Sequence, residues 1–97
     1  MLTLDVYPAP APGVVGRVVD AEAVLVLPAR GEVKVLNEVG ARIWELSDGN
    51  RTVREIANVI CEEYEVDAAA AEADTLAFFK DLEDRGAIRI SDKSSST

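Results

Sequence analysis

A chain of 97 residues has room for a single small core, since domains that fold alone commonly run to about 100–150 residues. With 48% apolar and 29% charged residues it has a globular composition, which excludes collagen, a disulfide scaffold and disorder along the whole chain. Ten basic against 18 acidic side chains give a net charge of −8, which repels nucleic acid and anionic membranes and favours encounter with a basic partner. No apolar run approaches the roughly 18 residues of a membrane span, and the first 12 residues lack the basic start and apolar stretch of a signal peptide, so a cytoplasmic protein is expected. Cys61 is the only cysteine and there is no histidine. That removes His/Cys metal sites, Ser-His-Asp triads and Cys-His dyads, and leaves an enzyme only carboxylate chemistry.

Leu2, Leu4 and Val6 alternate with Thr3, Asp5 and Tyr7, a period-2 signal for a short edge strand. Pro8, Pro10 and Pro12 follow at alternate positions and predict an extended polyproline-like spacer, so residues 1–12 read as a strand and spacer ahead of a domain over 13–90. Three strands are then predicted. The first covers about 15–20; the second, Ala23-Val24-Leu25-Val26-Leu27, is apolar on both faces and suits the centre of a sheet. After the turn Pro28-Ala29-Arg30-Gly31, the third strand, Glu32-Val33-Lys34-Val35-Leu36, alternates polar and apolar residues. Paired in sequence order as a meander, these strands leave one side of the third with unpaired N–H and C=O groups.

The period changes from 2 to 3.6 after Leu36. Asn37 is a suitable N-cap for a first helix carrying Val39, Ile43, Trp44 and Leu46, which Ser47-Asp48-Gly49-Asn50 ends. Thr52 and Glu55 form a capping box for a second helix with the stripe Val53, Ile56, Ala57, Ile60 and Tyr64; Cys61 ends that stripe and reads as a small core residue. Asp67 caps a third helix over about 68–85, stopped by Gly86, and Ala87-Ile88-Arg89-Ile90 is predicted to return to the sheet. Residues 91–97 contain no apolar side chain and read as a disordered tail.

On the third helix Ala68, Glu72, Thr75, Leu76, Phe79 and Leu82 share the predicted core face, with Glu72 a charged intruder. Asp74, Phe78, Asp81 and Arg85 lie in the neighbouring sector, so a large ring sits among charges at the margin of the core, bordering Leu82. Phe78 there either widens the core stripe or forms the wall of a groove. From Glu62 to Asp84 nine carboxylates are relieved only by Lys80, which reads either as a solvated helix face or as a surface for a basic partner.

No carboxylate pair stands out as catalytic, Gly13, Gly16 and Gly31 do not make a phosphate loop, and Asp48-Gly49-Asn50 lacks the length of a calcium loop. A non-catalytic protein without a cofactor is therefore expected. Three strands ahead of three helices give an α+β fold compatible with a winged helix-turn-helix, which makes a DNA-binding regulator one reading. The would-be recognition helix is acidic where phosphates would lie, so nucleic acid is not an expected partner. An acidic interaction subunit for some other protein is a further reading.

The run Leu36-Asn37-Glu38-Val39-Gly40-Ala41-Arg42-Ile43-Trp44-Glu45-Leu46, followed by Asp48-Gly49, Arg51-Thr52-Val53, Glu55-Ile56-Ala57, Tyr64-Glu65-Val66-Asp67, Leu82 and Arg85-Gly86, resembles the PqqD-like family. Its members are small peptide-recognition domains of pathways that modify ribosomally made peptides. The resemblance spans about 24–90 and implies a winged-helix-like domain that binds the leader segment of a precursor peptide as an added strand. The leader would lie on Glu32, Val33, Lys34, Val35 and Leu36, with Asp74, Phe78, Asp81, Leu82 and Arg85 on the opposite wall. Some members are fused to modifying enzymes. With no such extension here, hand-over to separate proteins is expected: a leader peptidase and an ATP-dependent macrolactam synthetase in lasso-peptide maturation, or a radical enzyme in pyrroloquinoline quinone and related pathways. The family pattern offers no role for the proline-rich start of the chain.

Overall fold

A computed structural model describes residues 2–93. The fold is α+β: strands β1 (Tyr7–Pro10), β2 (Val15–Val19), β3 (Glu22–Leu27) and β4 (Glu32–Leu36) precede helices α1 (Glu38–Leu46), α2 (Val53–Tyr64) and α3 (Ala68–Asp84), and β5 (Ile88–Ser91) follows. β2, β3 and β4 form the expected antiparallel meander with β3 in the centre. Its inner face carries Ala23, Leu25, Leu27 and Leu36, all buried against α1, α2 and α3. Its outer face exposes Val15, Val19, Val26, Val33 and Val35. None of the helices in the described residues is long and apolar enough to cross a membrane.

Local chemistry sets the helix boundaries. The Asn37 side chain accepts from Gly40 N at the start of α1. Thr52 and Glu55 close the predicted capping box at 3.1 and 2.8 Å, and Asp67 accepts from Ala69 N and Ala70 N at the start of α3. At Gly16 of β2 a Cβ atom would overlap the Trp44 indole, so the glycine lets the sheet close onto α1.

The N-terminal segment departs from the sequence reading. Residues 2–6 form a turn and bend instead of a strand, and the supposed spacer is itself β1, paired antiparallel with β5 in a separate two-stranded sheet. β5 therefore does not return to the three-stranded sheet. Prolines are tolerated because they alternate: the Pro8 carbonyl accepts from Gly49 N, on the side away from β5, while Ala11 N donates to Ala87 O along the ladder. The missing donors at Pro8 and Pro10 thus fall on the side that β5 does not need. The Val6 and Leu4 carbonyls accept from Val53 N and Arg54 N, the otherwise unsatisfied first donors of α2. Leu2, Leu4 and Val6 pack against the core. Residues 1–12 are thereby built into the domain. Of the expected tail, Ser91 ends β5, and residues 94–97 lie outside the described residues.

Three smaller differences concern the helices. The buried line of α3 is Ala71, Thr75, Phe79 and Leu82, so its early turns are rotated away from the predicted Ala68 and Glu72; Ala68 is exposed and Glu72 lies 3.9 Å from Arg54 of α2. Tyr64 is half-buried. Cys61 is also half-buried, with its thiol donating to the Val66 carbonyl at 3.0 Å.

Phe79 is fully buried and is among the largest of the core side chains. Truncating such a ring costs about 3–5 kcal/mol, and at about 4–8 °C per kcal/mol in a domain of this size Phe79→Ala should lower the melting temperature by more than about 12 °C. Thermal denaturation followed by circular dichroism measures it; a shift of a few degrees would contradict this packing.

Candidate functional site

β4 pairs with β3 along one side, and among the described residues no strand pairs with its other side. β2 is the sheet's second edge; among the described residues the ion pairs between the sheet and the end of α3 start from β4. Val33 and Val35 point outward and are 64% and 63% exposed. Glu32, Lys34 and Leu36 point inward, as the alternation of a strand requires, and each meets a different surrounding.

Glu32 and Lys34 reach across to the last turns of α3. Lys34 Nζ lies 3.2 Å from Asp81 Oδ2, Arg85 Nε lies 3.1 Å from the same oxygen, and Arg85 Nη1 lies 3.0 Å from Glu32 Oε2. Arg30, in the 3₁₀ turn before β4, extends the chain: its Nε is 2.7 Å from Glu32 Oε1 and its Nη1 donates to the Asp84 carbonyl at 3.1 Å. The Arg30 contact is a charge contact without an aligned N–H, which leaves buried Glu32 Oε1 short of a directed donor. The charges alternate along Arg30, Glu32, Arg85, Asp81 and Lys34. Burial pushes the Asp81 carboxyl up, but hydrogen bonds from Lys34 and Arg85, with their charges, outweigh it and hold the group below its ordinary value. Side chains in these pairs are 27–51% exposed, where an isolated pair contributes only about 0–1 kcal/mol, so the lattice fixes geometry more than it stabilises the fold.

Beyond Lys34 the surroundings become apolar. Phe78 is half-buried, packs on the core margin, and meets Phe79 edge-on with ring centroids 5.6 Å apart. A Cβ at Gly40 would stand 3.1 Å from the Phe78 ring, so a glycine in the first turn of α1 leaves room for that ring beside Leu36. The edge of β4 therefore faces an ionic stretch at Glu32 and Lys34 and an aromatic stretch at Leu36.

Of the predicted residues, Glu32, Lys34, Asp81 and Arg85 are joined by contact, Val33 and Val35 share the exposed outer face, and Phe78 lies at the Leu36 end. Leu82 departs from the prediction: it is fully buried, as Leu36 nearly is, so it supports the wall from within the core and offers no surface. Asp74 is exposed one turn before Phe78 and has no ion pair among the described residues. Sequence reasoning missed Arg30 and the packing role of Gly40. A glycine inside a helix, where it costs about 1 kcal/mol relative to alanine, was the available signal for the second; Arg30 gave none.

The chain is similar to "TbiB1 in Complex with the TbiA(beta) Leader Peptide", at 32% identity and a TM-score of 0.78, over 84% of this chain and 94% of that one. It is similar also to the PqqD truncation of Methylobacterium extorquens PqqCD, described as a functional, stand-alone recognition element for ribosomally synthesized and post-translationally modified peptides. There the identity is 27% and the TM-score 0.75, over 92% of this chain and 95% of that one. A search of curated protein sequences found no match. The family model for coenzyme PQQ synthesis protein D matches residues 22–88, from β3 to the start of β5, and the chain belongs to the PqqD family.

Proposed function

We propose that this protein is a non-catalytic recognition element that captures the leader segment of a ribosomally made precursor as a strand on β4 and delivers it, in the cytoplasm, to separate maturation enzymes. The observation that carries the reading is the open side of β4, bordered by Phe78 at one end and by the Asp81–Arg85 ion pairs at the other, in a chain whose relative is seen with a leader peptide. Main-chain hydrogen bonds would supply affinity and alternate leader side chains selectivity: one set faces α3, the other continues the valine face. Lasso-peptide maturation, with a leader peptidase and a macrolactam synthetase, is the pathway we favour. A radical enzyme of quinone-cofactor or related chemistry is the alternative partner.

A leader of about 20 residues from a precursor encoded beside this chain should bind with micromolar or better affinity, about −8 kcal/mol, in isothermal titration, while random duplex DNA at about 0.1 M salt should not. DNA binding without leader binding would favour the winged-helix regulator instead. Lys34→Pro or Val35→Pro should weaken the leader sharply whatever its side chains, with circular dichroism confirming the fold. Leader binding unchanged in both folded variants would place the peptide on another surface.

Phe78→Ala should fold and lose about tenfold in leader affinity, about 1.4 kcal/mol. Asp74→Lys should change affinity through the association rate, with the dissociation rate unchanged, and become silent at high salt, because its carboxylate is exposed and outside the lattice. Asp81→Lys should change the dissociation rate as well, since Asp81 holds Lys34 and Arg85 beside the edge. Melts, titrations and stopped-flow binding rates on these proteins check all three; a Phe78→Ala protein that unfolds, or binds normally, returns the ring to the core.

A further inference from the structure

The connection between β1 and β2, which lies outside the residues matched to the family, forms one wall of a cavity of about 250 Å³. Pro12 and Val14 stand on that side, Pro28 and Ala29 of the turn before β4 on another, and Arg30 and Arg85 at the rim. The wall is held: Ala11 N donates to Ala87 O at 3.0 Å and Val14 N to Ala11 O at 3.2 Å. The cavity lies at the Glu32 end of β4: the lining residues Pro28, Ala29 and Arg30 precede that strand in the chain, and Arg30 and Arg85 are both ion-paired to Glu32, its first residue.

We propose that this cavity is a second subsite, taking one aromatic side chain of the bound peptide just beyond the strand that pairs with β4; the inference rests on the leader-binding reading above. Every pair in the sheet is antiparallel, and a strand added in the same sense runs from Leu36 towards Glu32. Its next residues, on the C-terminal side, leave the edge at the end of the sheet where the cavity lies. The volume lies below the roughly 300–1,000 Å³ of pockets for whole small molecules and suits a single side chain. Chemistry selects a ring over an anion. Hydrogen bonds already engage Arg85 with Glu32 and Asp81, and Arg30 with the Asp84 carbonyl, while Glu32 also neutralises Arg30 at 2.7 Å, so what the two guanidinium groups offer is a flat face for stacking, beside two prolines and three aliphatic residues. The proline-rich start of the chain thereby acquires a role: with β1 fixed on β5, it carries Pro12 and Val14 to the wall of the cavity.

A phage-displayed library of random 20-residue peptides, selected on the full chain, tests this. Peptides selected on the wild type should carry an aromatic residue at a fixed spacing C-terminal to their strand-forming segment. Changing it to alanine should lower affinity about tenfold on the wild type, and less than twofold on Ala29→Trp, in which an indole from an exposed turn position fills the cavity. Arg30→Ala, which removes one stacking face, should also reduce the benefit of the ring, and it decides the question if Ala29→Trp fails to melt cooperatively. Peptides that lose binding to a folded Val35→Pro protein but carry the same aromatic at the same affinity on Ala29→Trp and Arg30→Ala would overturn the subsite alone. Peptides indifferent to both Val35→Pro and Lys34→Pro, or no enrichment on the wild type, would overturn strand addition and the subsite together.

Discussion

A strand hydrogen-bonded on one side carries a row of N–H and C=O groups that water alone must satisfy on the other, and β4 is such a strand. Folded proteins usually blunt such an edge with charges, prolines or a covering element. Here the inward side chains of β4 are anchored to α3 by Lys34–Asp81 and Glu32–Arg85, which holds the helix alongside the edge without covering it by backbone. The rest of the structure serves that spacing. Phe79 and Leu82, both fully buried, fix the rotation of α3, and the same rotation brings Phe78, Asp81 and Arg85 toward β4. Gly16 lets the sheet lie close on Trp44, and Gly40 clears space for Phe78. The N-terminal residues cap α2 and brace β5.

Charge is distributed less simply than the total of −8 suggests. α3 is acidic as a helix, yet the lattice at the β4 edge joins three cations, Arg30, Lys34 and Arg85, to two carboxylates, Glu32 and Asp81. The acidity that repels polyanions therefore belongs to the outer surface of the helices, and the edge itself does not require a basic peptide.

What was legible in the sequence had local causes. The capping box at Thr52 and Glu55, the Asn37 and Asp67 caps, and the two-sided apolar run of β3 are written within a few residues, and they match the observed elements closely. The open edge of β4 followed from pairing strands in sequence order, and the marginal position of Phe78 followed from helical spacing. The N-terminus was illegible because proline excludes a ladder only where its nitrogen faces the partner, and that depends on β5, some 80 residues away in sequence. Arg85 and Glu32, 53 residues apart, gave no sequence signal of their contact. For Leu82 the helical spacing pointed to the core, where it lies, and it was the family resemblance that set it on the wall of the groove.

Amide hydrogen exchange along β4, with and without a bound leader, tests strand addition most directly. An added strand must donate to and accept from the backbone of β4, so alternate amides between Glu32 and Leu36, the ones not already bonded to β3, should slow markedly on binding while those of β2 stay as they were. Protection confined to α2 and α3, or to β2, with the β4 amides exchanging as in the free protein, would contradict the account.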